Sequence, residues 1–94
     1  MPLFAVEYTY APEKSGARDS KRPDHRAWLQ DLVERRVVRA SGPYADGSGA
    51  LIIVEEADAD AVRTLFTHDP FARAGLVEDS RITEWVPVMG AISA

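Results

Sequence analysis

The stretch VVRASGPYADGSGALIIVE, residues 37–55, decides the fold. Its two ends, residues 37–44 and 50–55, are rich in β-branched and apolar side chains, which is typical of strands. The segment DGSG, residues 46–49, lies between them and consists of turn-forming residues. Because this connection is short, the two strands are predicted to pair as an antiparallel hairpin.

Segments with helix and strand patterns lie on both sides of this hairpin. Strands are predicted over residues 3–10 and 80–88, main helices over residues 23–36 and 58–67, and a short helix between Asp69 and Gly75. The resulting β-α-β-β-α-β order is the ferredoxin-like plan, an α+β fold whose antiparallel sheet carries both main helices on one face. The 94 residues are interpreted as a single domain, residues 1–94.

One long connection is predicted between the first strand and the first helix. Residues 11–21 combine Pro, Gly and Ser with charged side chains, which is typical of an exposed and mobile loop. The length of this predicted loop is sufficient for it to close over a pocket as a lid.

The predicted strands are apolar on both faces of the sheet. In the third strand, Ala50, Ile52 and Val54 alternate with Leu51 and Ile53, so neither face is polar. An antiparallel sheet with one face in water should instead alternate apolar and polar residues. The chain has no spare element to cover the second face, so a second copy of the same sheet is the simplest cover. The pattern therefore predicts a two-fold homodimer.

The composition excludes several classes of function. The chain has no cysteine, which excludes disulfides and thiolate chemistry and indicates the cytoplasm. The net charge of -4 argues against nucleic acid as a partner. RNA-binding domains with this element order carry stacking aromatics in the third strand, where this chain has ALIIVEE. No apolar run approaches the roughly 20 residues that span a membrane. The two histidines lack the spacing of zinc ligands, so no metal or cofactor is predicted.

His25 is the first candidate functional residue, in the segment RPDHRAWL at residues 22–29. On a helix that starts at Pro23, His25 shares a face with Trp28 and Leu29 and lies on the buried side. Burial and a first-turn position both disfavour a positive charge, so a neutral imidazole that can accept a proton is predicted. The alternative is a hydrogen-bonded histidine with a purely structural role. On pattern alone, Asp69 before Pro70 is a helix N-cap.

Four segments together resemble the YciI-like (YCII-related) family. They are R-P-x-H at residues 22–25, S-G-P at 41–43, D-P-[FY]-x-x-[AR]-G-[LV] at 69–76, and Ile-x-x-Trp at 82–85. The similarity runs from Leu3 to about Val88. Arg36 is a departure, because the family usually has a glycine between the first helix and the second strand.

The resemblance implies a dimeric α+β barrel with a His–Asp dyad, matched here by His25 and Asp69. It also implies a small-molecule pocket near the dimer interface. Arg22 matches the family's basic residue before the proline, and Ser41 precedes the Gly-Pro pair. Three further residues are candidates for lining the pocket, because strand ends face the first helix: Tyr8, Trp28 and Tyr44.

An activity associated with the family is a dehydrochlorinase-like elimination on a hydroxylated ring, and related barrels include muconolactone-isomerase-like enzymes. The predicted function is therefore a cofactor-free lyase or isomerase acting on a small cyclic or aromatic molecule. His25 is predicted to be the general acid and base, and Asp69 to fix its tautomer. Two alternatives remain. One is a non-catalytic small-molecule binding or regulatory dimer with the same pocket, and the other is a structural dimer with an inert histidine.

Overall fold

The computed structural model describes residues 1–92, which fold into a four-stranded sheet with helices on one face. The elements are β1 (Leu3–Thr9), a 3-10 turn (Pro12–Lys14), α1 (Ser15–Glu34), β2 (Val38–Pro43), β3 (Gly49–Glu55), α2 (Ala59–Phe66), α3 (Pro70–Arg73) and β4 (Asp79–Trp85). The strand order is β2-β3-β1-β4, and every neighbouring pair is antiparallel. The predicted ferredoxin-like α+β fold is confirmed, including the hairpin of β2 and β3.

The core lies between the sheet and the two main helices. Alternate residues of β1 point into it, and Val6 faces Ile52 of β3 in the strand register. Leu32 of α1 and Val62 of α2 close the core from the helix side, and both are almost completely buried. Each such aliphatic side chain contributes about 1.5–3 kcal/mol by leaving water. This core fixes α1 against the sheet.

Helix α1 begins at Ser15, so the predicted loop over residues 11–21 is wrong. Most of the segment whose length made a lid possible is therefore helical. His25 consequently lies in the middle of α1, and the prediction of a first-turn position is also wrong. The buried residues of α1 are Arg18, His25 and Leu32, each two helical turns from the next. The buried face of α1 therefore extends to its N-terminal turns, where the buried residue is Arg18.

Arg18 explains why these turns are helical. Its guanidinium lies 4.5 Å from the ring centroid of Tyr10, and Nη1 donates a 2.8 Å hydrogen bond to the carbonyl oxygen of Ala11. A cation over an aromatic face and a satisfied donor allow a charged side chain to be buried. Pro23 lies inside α1 on its exposed side, where the helix continues despite the missing N–H.

The sheet face opposite the helices carries mostly apolar side chains along its centre. Ala5, Ile53, Leu51 and Trp85 line a groove of about 560 Å³ there, and Trp85 is 39% exposed. Ile92, which follows β4, lines the same groove. The groove is nevertheless open, since Leu51 and Trp85 in its lining remain partly exposed.

Helices α1 and α3 both end in a left-handed residue. Gly75 ends α3 with φ +70°, as its position after the predicted helix suggested. Arg36 takes the equivalent place after α1 with φ +62°. The N–H of Arg36 donates to the carbonyl of Val33, and the N–H of Val37 donates to that of Leu32, which together form a Schellman motif. This motif calls for glycine, and the chain has arginine instead.

Arg36→Gly is expected to raise the free energy of unfolding by about 1 kcal/mol, because glycine adopts a positive φ without the steric cost of a Cβ atom. Urea denaturation measures the change. Arg35→Gly is the matched control, since Arg35 has φ -83°. There the entropy of glycine should destabilise the fold by about 0.5–1 kcal/mol. Equal effects of the two substitutions would contradict the argument.

Candidate active site

His25 and Asp69 meet in the interior, although 44 positions separate them in the sequence. His25 projects from the middle of α1, and Asp69 is the N-cap of α3. Nδ1 of His25 lies 2.7 Å from Oδ1 of Asp69, and the residues are 7% and 0% exposed. An ionised carboxylate only accepts hydrogen bonds, so Nδ1 carries the proton and donates it. In the neutral ring, Nε2 is then left with a free lone pair.

The Asp69 carboxylate accepts three hydrogen bonds. Besides the histidine, Oδ1 accepts from the backbone N–H of Phe71 at 3.0 Å, and Oδ2 accepts from the hydroxyl of Tyr8 at 2.7 Å. The bond to Phe71 is the helix cap that the Asp-Pro pattern indicates. One side chain therefore caps α3, as predicted from the sequence, and also lies within hydrogen-bond distance of His25 in a buried pair.

The ring of His25 is fixed by stacking as well as by hydrogen bonding. It lies parallel to the ring of Phe71, with 3.9 Å between centroids and 3° between planes. Tyr10 meets the edge of the same phenylalanine with 6.0 Å between centroids. Within residues 1–92, no side chain or backbone group bonds Nε2 of His25, and no fully buried polar side-chain atom lacks a partner. Nε2 is therefore open to solvent.

His25, with its unbonded Nε2, lines a cavity of about 410 Å³, a size that suits a small molecule. One wall is α1, with Arg22, His25 and Arg26, and the opposite wall is the end of β2 at Ser41. Tyr10 and Phe71 also line the cavity. The arrangement places a proton acceptor with a fixed orientation at the wall of a cavity.

The model of the YCII-related domain family matches residues 3–86. The chain belongs to the YCII-related domain family. Among curated proteins, none matches it significantly.

The solved structures that resemble this YCII-related domain include a dehydrochlorinase and MtbAldR. The 5-chloro-2-hydroxyhydroquinone dehydrochlorinase TftG from Burkholderia phenoliruptrix AC1100, in complex with 2,5-dihydroxybenzoquinone, is 25% identical with a TM-score of 0.78. The alignment covers 88% of this chain and 92% of TftG. MtbAldR is 17% identical with a TM-score of 0.58 over 100% of this chain and 59% of its own length. The likeness to MtbAldR shows the fold alone.

Two of the five other predicted site residues line the cavity with His25. They are Arg22, from the R-P-x-H segment, and Ser41, which also lies beside the groove on the opposite sheet face. Tyr8 does not line this cavity. It is 2% exposed and lies behind Asp69, so it meets the YCII-related site only through the carboxylate.

The remaining two predicted residues lie elsewhere. Trp28 packs into the core, edge-on to Phe66 with 5.2 Å between ring centroids. The hydroxyl of Tyr44 donates to Glu7 Oε2 at 3.3 Å, and Tyr44 lines the groove on the other sheet face. Neither residue touches the His25 cavity within this chain, so the structure gives neither a place in substrate binding there.

Sequence reasoning missed nine of the twelve residues that line this cavity, among them Tyr10, Arg26 and Phe71. Arg26 lies one helical turn after Arg22, a spacing that puts both on one face and that the sequence already contained. Phe71 is part of the D-P-[FY] segment, but its stacking on the histidine is a long-range contact. Residues 1–92 contain no cluster of three or more metal-ligating side chains, and none of their helices is long and apolar enough to cross a membrane.

The two tyrosines beside Asp69 have perturbed hydroxyls. Burial raises the pKa of Tyr8 far above its ordinary value of 10.0, and the negative charge of Asp69 and the hydrogen bond to it raise it further. Burial also raises the pKa of Tyr10, with Asp69 adding to the effect, while Arg18 and Arg22 oppose it. Tyr8 therefore stays protonated in the fold and remains a donor to Asp69.

Tyr8→Phe is expected to reduce the loss of stability at high pH. The raised pKa means that the unfolded chain gives up the Tyr8 proton first. Wild-type stability is therefore intact below about pH 10 and falls above it, by up to about 1.4 kcal/mol per pH unit for this group. The variant lacks that contribution, so its decline should be shallower in urea titrations between about pH 9 and about pH 11. Tyr44→Phe removes an exposed hydroxyl whose pKa is also raised, by desolvation and by Glu7, and should flatten the decline less than Tyr8→Phe does. Equal slopes for Tyr8→Phe and wild type would refute the assignment.

Proposed function

We propose that this YCII-related domain is a lyase-like enzyme that moves a proton on a small aromatic or cyclic molecule. One observation carries the proposal: His25 lines a cavity, its Nδ1 is held by Asp69, and its Nε2 has no protein partner among residues 1–92. A neutral imidazole in that state accepts a proton from a ligand and returns it later in the cycle. The similarity to TftG, a dehydrochlorinase, supports this class of reaction.

The proposed reaction is an elimination. The hydroxylated ring reacts as its keto tautomer, in which the carbon that carries the leaving group and its neighbour are saturated. Nε2 of His25 takes a proton from that neighbouring carbon, next to a ring carbonyl. The electrons of the C–H bond form a double bond between the two carbons, and the leaving group departs with the electron pair of its own bond. One molecule of acid is lost in total, and no electrons are exchanged with an external oxidant. The Asp69 carboxylate stabilises the imidazolium that forms, and Phe71 keeps the ring in plane. These steps use side chains alone, so we propose a cofactor-free mechanism.

We also propose that the active form is a homodimer working in the cytoplasm. The groove on the open sheet face is apolar, and Leu51 and Trp85 remain 36% and 39% exposed on it. Burying such side chains against a second copy would remove them from water. The absence of cysteine from the sequence supports a reducing compartment. Sedimentation of the purified chain measures the oligomeric state, and a monomer at micromolar concentration would overturn the dimer.

The function is tested by incubating the purified protein, without oxygen, with 5-chloro-2-hydroxyhydroquinone and a panel of halogenated or hydroxylated rings. Released chloride and the quinone absorbance report elimination, and mass spectrometry reports other rearrangements. The expected result is product formation above the rate without protein. Binding of 2,5-dihydroxybenzoquinone is measured in parallel. If the quinone binds and no compound is changed, the chain is a binding or regulatory module instead.

A further inference from the structure

The cavity in front of His25 has a cationic wall. Arg22 and Arg26 lie one helical turn apart on α1, and both line the cavity. No aspartate or glutamate of residues 1–92 lines it. The chain as a whole has 15 acidic and 11 basic residues, so its net charge is negative. The lining of the cavity is locally positive in spite of that. Such a wall attracts anions and repels cations.

The charge of Arg26 is not neutralised within the part of the chain that the structure describes. No carboxylate, hydrogen-bond acceptor or ring of residues 1–92 contacts its guanidinium. Arg22 is different, because it pairs with the exposed carboxylate of Asp19 on the preceding turn. Arg26 is therefore the group at the cavity with charge available for a ligand.

Two further groups shape the field in the cavity. Arg18 is buried over Tyr10, a lining residue, and donates a hydrogen bond to the backbone carbonyl of Ala11. No carboxylate of residues 1–92 forms an ion pair with it. Asp69 is the buried carboxylate nearby. Its oxygens already accept from His25, Tyr8 and the N–H of Phe71, and it lies behind the imidazole as seen from the cavity. The side open to a ligand is therefore positive.

We propose that the ligand of this site is an anion: a small planar ring with an ionised oxygen, such as an enolate, a phenolate or a carboxylate. Arg26 binds that oxygen and is assisted by Arg22, while the ring carbon that loses its proton faces Nε2 of His25. The inference rests on the proposed function and adds the charge of the substrate to it. An ionised ring oxygen also pushes electron density towards the carbon that carries the leaving group, so the same charge favours elimination.

The test compares ligands that match in shape and differ in charge. The hydroxyls of 2,5-dihydroxybenzoquinone are vinylogous acids and are ionised at neutral pH, whereas the dimethyl ether of this quinone is neutral. Benzoate and benzamide form a second pair. Binding is measured by calorimetry and by NMR of the arginine side chains, at low and at high salt. Both anions should bind more tightly than their neutral partners, and their affinity should fall as salt rises.

Arg26→Gln is expected to weaken binding of the anionic quinone by about tenfold and to leave the neutral ether unaffected. Arg35→Gln is the matched control, because it removes the same charge from the same helix where Arg35 pairs with Asp31 outside the cavity. Equal binding of charged and neutral partners, equal effects of the two variants, or no anion bound at millimolar concentration would each overturn the inference. If anions bind selectively but no ring compound is turned over, the proposed elimination is wrong and the inference of an anionic ligand is kept.

Discussion

Replacing His25 by glutamine should lower turnover of a ring substrate by about 10³-fold. Glutamine has a similar length and donates a hydrogen bond to Asp69, so the cavity should keep its shape. It cannot accept a proton at neutral pH, however, and the proposed elimination loses its base. The loss should appear in kcat, since His25 acts on the reacting carbon, while Arg26 holds the charged oxygen. Steady-state kinetics on whichever ring compound the wild type converts measures both constants.

His68→Gln provides the matched control. His68 is the other histidine of the chain, lies exposed at the end of α2, and has Nδ1 3.2 Å from the carbonyl oxygen of Thr64. Its replacement should leave turnover within about twofold of wild type. Thermal unfolding of both variants checks that the fold is intact. A His25→Gln protein that is folded and retains more than about a tenth of wild-type kcat would mean that another group supplies the base.

The fold could be predicted where turn and cap residues in the sequence mark the same elements that the packed structure contains. The turn between β2 and β3 and the Asp-Pro start of α3 rest on residues adjacent in the sequence, and the structure has both. The N-terminal turns of α1 were missed because the side chain that anchors them, Arg18, is charged. Its burial depends on Tyr10 and on the carbonyl of Ala11, and contacts of this kind are not visible in a hydrophobic pattern.

The candidate site was predictable in part for a similar reason. Helical spacing placed His25 on the buried face of α1, and it lies there although the predicted start of the helix was wrong. The pairing of His25 with Asp69 followed only from the family resemblance, because no local rule joins residues from α1 and α3. Tyr8 was predicted to line the pocket, whereas the alternation of β1 places it in the core. Its hydroxyl donates to the carboxylate of Asp69, 61 positions away in the sequence. That contact depends on how β1, α1 and α3 pack together, so no local pattern predicts it.

Asp69→Asn should lower kcat by about 10²-fold without changing the tautomer of His25. The backbone N–H of Phe71 needs an oxygen where Oδ1 now lies, and it therefore directs the carboxamide oxygen to that place. That oxygen still accepts from Nδ1 of His25, so Nε2 remains the acceptor. The negative charge that stabilises the imidazolium during proton transfer is lost. The amide NH₂ group then faces the hydroxyl of Tyr8, which loses its acceptor.

Nitrogen-15 NMR of the imidazole shows which nitrogen of His25 carries the proton. The change in kcat measures the effect of losing the negative charge of Asp69. Asp58→Asn is the matched control, since Asp58 caps α2 by accepting from the N–H of Ala61 and contacts no histidine. Both substitutions remove one negative charge from a helix N-cap, so their difference isolates what the carboxylate does for His25. If Asp69→Asn moves the proton from Nδ1 to Nε2, the amide has turned its NH₂ group to the ring and the cap does not direct the carboxamide. If both variants keep full turnover, the role of Asp69 is limited to capping α3. His25 would then act as a base without the negative charge of Asp69.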